Sequence, residues 1–328
     1  HDGGSPRPAR QAAVSGTPAI VCLGEPMAEF SQLPDGPPGH YLAGHGGDTS
    51  NCAIAAARQG ATVGYITALG TDTFGDSFID LWQCEGIDTT GVKRDETAHT
   101  AVYFINHGSD GHRFTYLRMG SAASRMGSED LPHSLIAGAS ILHVSGISQA
   151  ISESARDTVF RAIEIAQAAG TRVSYDPNLR LSLWPLARAR TVIHAALAGA
   201  DYVLTNLEEG RQLTGAGSAE AIAAFYLGLE VSTVVVKMGA DGALLATGEG
   251  GRHLPGRTVV AVDASGAGDT FDGAFLAETV RGADSLAAAS YANAAAALST
   301  TGYGAVAPIP RRAEVEAMLK RRSGDDAT

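Results

Sequence analysis

From Ile141 onward the sequence alternates between short, apolar, β-branched runs and longer stretches with helical spacing. Ile141–Ser145, Arg172–Asp176, Tyr202–Thr205 and Thr233–Lys237 read as strands. Ser152–Ala169, Leu186–Ala198, Leu207–Leu213 and Ala219–Leu227 read as the helices around them. This rhythm predicts a parallel sheet with helices on both faces, because parallel neighbours need a crossover of about helical length. Such a sheet places its ligand site beyond the C-terminal ends of its strands. The polar and glycine-rich clusters fall there: Ser145-Gly146, Asp176-Pro177-Asn178, Thr205-Asn206, Lys237-Met238-Gly239, and Asp263 to Asp269.

Ile20–Leu23 and Thr62–Leu69 are expected to join the same sheet, with helices at Ser50–Gln59 and Thr73–Glu85. Ala243–Ala246 and Thr258–Val262 read as further strands, and Ala267–Arg281 and Ser285–Ser299 as long helices. Thr100–Asn106 and Arg113–Arg118 are more polar strands, joined by a segment whose Asp110-Gly111 signals a hairpin. One face of that hairpin is expected to meet solvent or a ligand. The reading is an α/β, three-layer fold with a mostly parallel central sheet and a small β lid, its strands at about 25–47 and 98–119. Residues 1–17 are expected to form a disordered tail, 18–312 the main domain, and 313–328 a C-terminal helix and tail.

The formal net charge of -11 argues against a nucleic-acid or membrane-surface partner, either of which favours a basic face. No apolar run reaches membrane-spanning length. The three cysteines, Cys22, Cys52 and Cys84, lie in apolar stretches without a CxxC and read as buried free thiols of a reducing cytoplasm.

The densest signal is Asp263-Ala264-Ser265-Gly266-Ala267-Gly268-Asp269-Thr270-Phe271 at a helix start. Small residues there let backbone N–H groups converge on an anion, and the helix dipole adds positive potential. That potential is expected to lower the pKa of Asp269. A carboxylate at such a point can accept the proton of a hydroxyl attacking a phosphoryl group. The plainer reading is an N-cap with a Gly-rich turn. A dinucleotide GxGxxG needs glycine where Phe271 stands, and a Walker A loop needs a Gly-Lys pair that the chain lacks.

Asp263 to Phe271 resembles the C-terminal signature of the PfkB, or ribokinase-like, carbohydrate kinases. Gly46-Gly47-Asp48-Thr49-Ser50-Asn51 before an Ala-rich helix resembles their N-terminal signature. Gly24-Glu25-Pro26-Met27, Thr67 to Asp72, Ser145-Gly146-Ile147 and Asp176 to Arg180 are similar to the members acting on 2-keto-3-deoxygluconate. The resemblance implies an ATP- and Mg2+-dependent kinase with Asp269 as general base and Gly266, Ala267 and Gly268 as its anion hole. It implies sugar contacts from Gly46, Gly47, Asp48, Asn51, Ile147 and Arg180, and from Tyr103, Tyr116 and Arg118 on the lid. Asn178, Asn206, Lys237, Gly239, Gly242 and Asn293 would lie by the nucleotide, and Glu209 would reach magnesium through water. The implied substrate is a sugar acid, with a neutral sugar such as fructose, tagatose or ribose, or a nucleoside, as the alternative. Pairing of two lids into a homodimer is a further implication. Gly302-Tyr303-Gly304-Ala305 and Met119 depart from the usual residues of such kinases.

Two other classes were weighed. Gly146-Ile147-Ser148-Gln149-Ala150 follows a strand and is a near miss to the GxSxG of a serine hydrolase. A non-catalytic sugar-binding protein would not need Asp269. The ten histidines are scattered, and His107 and His112 beside the hairpin turn lack an evident third ligand.

Overall fold

The computed structural model describes residues 16–33, 37, 39–108 and 111–325. Its strands are β1 (Ile20–Leu23), β2 (Met27–Gln32), β3 (Tyr41–Gly46), β4 (Val63–Gly70), β5 (Val92–Asp95), β6 (Ala101–Gly108) and β7 (Gly111–Leu117). They continue with β8 (Ile141–Ser145), β9 (Arg172–Asp176), β10 (Tyr202–Asn206), β11 (Thr233–Lys237), β12 (Ala243–Thr247) and β13 (Gly250–Leu254). The main sheet runs β13-β12-β11-β10-β9-β8-β1-β4-β5. Every pairing from β11 to β5 is parallel, and β12 and β13 close one edge as an antiparallel pair. The parallel strands therefore all point their C-terminal ends the same way, which is what gathers one site from distant parts of the chain.

Both faces are covered, and the strand period shows it. In β1, Ile20 and Cys22 enter one core while Val21 and Leu23 enter the other, all four buried. The first core is completed by Ile54, Phe275 and Ala292 from the helices Asp48–Arg58, Ala267–Arg281 and Ser285–Ser299. The second takes Ile163, Ile193 and Ile222 from Glu153–Ala169, Leu186–Leu197 and Ala219–Leu227. Each such Ile or Phe stabilises the fold by roughly 1.5–3 kcal/mol through burial.

The second sheet, β3-β2-β6-β7, is the lid. Phe30 and Phe104 stack within it at 5.3 Å, and Tyr103 and Tyr116 at 5.8 Å. β3 runs through Gly47 straight into the helix Asp48–Arg58, so the lid and one wall of the site share a backbone.

Two expectations change. Thr258–Val262 is not a strand: none of the described strands pairs with it, and Val260 and Val262 are exposed despite their β-branched pattern. Its end is instead tied down by Val262 and Asp263 N–H groups donating to the Thr300 carbonyl. Cys84 is exposed, because the helix Thr73–Cys84 turns Phe78 and Trp82 inward and leaves its last residue outside; only Cys22 and Cys52 are buried. A thiol reagent should therefore titrate one cysteine in the native protein and three after denaturation; three in the native state would contradict this packing. The C-terminal helix, Arg312–Asp325, buries Val315 in the first core. Asp110 of the hairpin turn, the side chains of His107 and His112, and residues 1–15 lie outside the described residues.

Candidate active site

The Gly-rich loop from Asp263 to Asp269 is held by its own acid. The Asp263 carboxylate accepts from the N–H groups of Ser265 and Gly304, both at 2.9 Å, which joins the loop to the turn around Gly304. Gly266 sits in the left-handed region at φ 70°, and a Cβ there would lie 2.9 Å from the Ala305 carbonyl oxygen. The Gly302–Ala305 turn thus backs the loop. No side chain caps the helix Ala267–Arg281, so its first-turn N–H groups and positive dipole end are left for an anion.

Asp269 lies in that first turn. Asn51 donates from Nδ2 to its Oδ2 at 2.8 Å, a bond between the mouths of two helices 218 residues apart in sequence. Asn51 Oδ1 is buried with no partner of its own. One turn earlier, Asp48 accepts from Asn178 Nδ2 at 2.9 Å. The Asp269 pKa is not lowered, as the dipole argument led us to expect, but raised to about 7. Burial is the main cause and the Asp48 carboxylate adds to it, while the Asn51 amide and Lys237 oppose. Desolvation next to a like charge outweighs a half-charge dipole.

Behind this pair is a buried charge cluster. Lys237 Nζ donates to Asp272 at 2.9 and 3.1 Å and to Asp176 at 3.1 Å. The Asn206 side chain caps the next helix, accepting from the Glu209 N–H at 2.9 Å. Glu209 pairs with Arg180 at 3.4 Å, and burial, with Asp176 second, pushes its pKa up to about 7.

On the lid side, Arg118 donates from Nε (2.9 Å) and Nη2 to the fully buried Glu25, which also accepts from Ser121 at 3.1 Å. Burial raises the Glu25 pKa, with Arg118 opposing. Tyr103 donates to Glu29, and its hydroxyl lies against Gly46, where a Cβ would come within 2.5 Å of it. Arg118 also covers the Tyr116 ring, 5.6 Å from its centroid.

The sequence-derived residues divide by what they touch. Asp48 with Asn178 and Asn51 with Asp269 form two hydrogen-bonded pairs, joined by the helix that carries Asp48 and Asn51; Gly46 and Tyr103 meet on the lid side. Lys237 is engaged inside the protein with Asp176 and Asp272. Gly239 and Gly242 shape the turn between β11 and β12, and a Cβ at Gly242 would meet the Leu254 carbonyl at 2.0 Å. Asn293 is buried and donates to the Pro255 carbonyl at 2.8 Å. Ile147 follows β8 beside Ser148, whose hydroxyl is buried on the Leu23 carbonyl and Ser145. That hydroxyl has no base beside it, which removes the hydrolase reading. Four acids escaped sequence reasoning in any role: Glu25, Glu29, Asp176 and Asp272. Asp272 stands one helical turn from Asp269, and that i, i+3 spacing was the available signal. Among the described residues no group of three or more His, Cys, Asp or Glu is arranged to hold a metal ion, and no helix is long and apolar enough to cross a membrane.

Residues 17–312 match the pfkB family of carbohydrate kinases, and the chain belongs to that family. The 2-dehydro-3-deoxygluconokinase of Thermoproteus tenax is 34% identical over 310 residues, covering 92% of this chain and 94% of that one. Fructokinase-1 of Zea mays is 33% identical over 323 residues, covering 94% and 99%. A solved E. coli structure, a proposed ribokinase II in complex with ATP and Mg2+, superposes with TM-score 0.85 at 27% identity, covering 93% and 99%.

Proposed function

We propose that this kinase transfers the terminal phosphoryl group of ATP to a hydroxyl of 2-keto-3-deoxygluconate, giving the 6-phosphate, with Asp269 as general base. The observation that carries this reading is the Asn51–Asp269 bond at 2.8 Å beside an uncapped helix mouth. A hydroxyl placed there has a carboxylate to take its proton and N–H groups to receive the phosphoryl oxygens. The unpartnered Asn51 Oδ1 and the Asp48 carboxylate supply acceptors for other hydroxyls of the sugar. Asp269 is the base because its pKa of about 7 keeps it substantially ionised at neutral pH while leaving it basic enough to hold a proton.

Glu209 fits magnesium held through water: it is a lone cleft-side acid, and that ion keeps most of its water shell and binds phosphates directly. Bound there, magnesium would offset the phosphate charge. The lid strands would exclude water from the reacting hydroxyl. Leu42, Phe114 and Leu117 are exposed on the lid, and we propose that they pair with the lid of a second copy.

Arg118 is the residue placed for a sugar carboxylate. One observation favours a neutral ketose instead: Arg118 is already paired with Glu25, with Glu29 nearby on the lid. Steady-state kinetics with 2-keto-3-deoxygluconate, fructose, tagatose and ribose separates the two. For the acid reading, Arg118→Ala should cut kcat/KM for the acid by about 10²-fold, the scale of a lost charge-assisted pair, and for fructose by far less. Equal losses on both would refute a carboxylate contact.

A further inference from the structure

The cluster behind the phosphate loop contains a residue that helix packing does not require. The Asp272 side chain is 1% exposed, in a buried run from Thr270 to Ala277. Apolar side chains in place of the whole ion pair could serve stability there as well, since such a replacement is often neutral or better. Asp272 nevertheless gives both carboxyl oxygens to Lys237 Nζ. The same ammonium also donates to Asp176, so the two acids share one cation. Burial pushes both acids up; Lys237 overrides this at Asp176, while Asp272 ends high. Burial also works against the ammonium, but the two acids hold its pKa above the ordinary range.

The position of this fixed cation is informative. A Cβ built on Gly268 would lie 3.5 Å from Lys237 Nζ, so the ammonium sits against the first turn of the helix whose N–H groups await an anion. We propose that Asp272 is a positioning residue for phosphoryl transfer: with Asp176 it fixes the Lys237 ammonium against Gly268, facing the charge that builds on the transferring group. None of the three Lys237 hydrogen bonds goes to Asp48, Asn51 or Asp269. The proposal rests on the reading of Gly266–Gly268 as the anion hole and Asp269 as the base.

The test is a double-mutant cycle on purified, folded enzyme with Mg-ATP and whichever sugar is turned over. Asp272→Ala should lower kcat by about 10-fold or more, an indirect share of what a lost oxyanion donor costs, with the sugar KM within about twofold. Lys237→Met should lower it at least as much, and adding Asp272→Ala to Lys237→Met should cost less than about twofold more. Asp272→Asn should keep kcat within about threefold, because the amide oxygen still accepts from Nζ. Asp272→Ser, which fills less space but cannot reach Nζ, carries the same expectation as alanine if the alanine variant does not fold. A folded Asp272→Ala or Asp272→Ser enzyme with parental kcat overturns the proposal, as does a full loss repeated in the Lys237→Met background. Asp269→Asn in the same assay keeps the two readings apart: activity in that variant overturns the base, whereas an inert Asp272 leaves the base standing.

Discussion

Asp269→Asn is expected to cut turnover by at least about 10²-fold, equivalent to roughly 2.7 kcal/mol of barrier, while ATP affinity stays within a few-fold of the parent. Asparagine fills the same space and can still bond Asn51, but it cannot take a proton. The same carboxyl sets the pH dependence. Its raised pKa of about 7 means that kcat/KM should fall on the acid side of neutrality, approaching tenfold per unit below about pH 6. Stability should move the other way. A carboxyl whose folded pKa lies above its ordinary value favours the fold at low pH, and that contribution is lost as pH rises from the ordinary Asp value toward about 7. Asp269→Asn removes the penalty, so its melting temperature should exceed the parent's by a margin that grows between pH 4 and pH 7. An active variant, or a parent whose acid limb lies near pH 4, would remove Asp269 from the base role.

That rise in pKa marks where sequence reasoning stopped. The loop Asp263 to Phe271, the mouth Gly46 to Asn51 and the strand–helix rhythm were legible because each is a local pattern with a local cause. The helix Ala267–Arg281 starts and ends where glycine and periodicity said it would. What was not legible depends on residues brought together from afar. Burial of Asp269, with the Asp48 charge added, reverses the sign of the dipole argument, and both exist only after β3 and the loop before Ala267 converge. The resemblance puts Lys237 by the nucleotide; its partners Asp176 and Asp272, which come from β9 and from a helix, were visible only in the fold. Thr258–Val262 has strand propensity but no neighbour to pair with. β5 and β13 are the converse, polar or glycine-bearing edges (Val-Lys-Arg-Asp and Gly-Gly-Arg-His-Leu) that become strands because a neighbour offers a ladder. Family resemblance supplied roles; geometry supplied the partners that tune them.

Gly47→Ala should damage both stability and sugar turnover although it removes no functional group. Gly47 stands at φ 114° and ψ 118°, outside the range an L side chain adopts without strain. A Cβ there would lie 2.6 Å from the Glu25 carbonyl oxygen and 2.9 Å from the Pro26 Cα, both backbone atoms that cannot swing aside. Relief must come from moving the start of the helix Asp48–Arg58 or the segment between β1 and β2. The first displaces Asp48 and Asn51; the second displaces Glu25, and with it Arg118. Strain and clash together are expected to cost about 2–4 kcal/mol of stability. A displacement on the order of 1 Å at Asn51 should lower kcat/KM for the sugar by about 10²-fold in whatever protein remains folded, with a smaller effect on the KM for ATP. Gly248→Ala is the matched control, since a Cβ there meets nothing within 4 Å, and it should change neither property. If Gly47→Ala were as active and as stable as Gly248→Ala, the close approach of Glu25 and Pro26 to this backbone would not be what holds the sugar-side acids in register with Asp269.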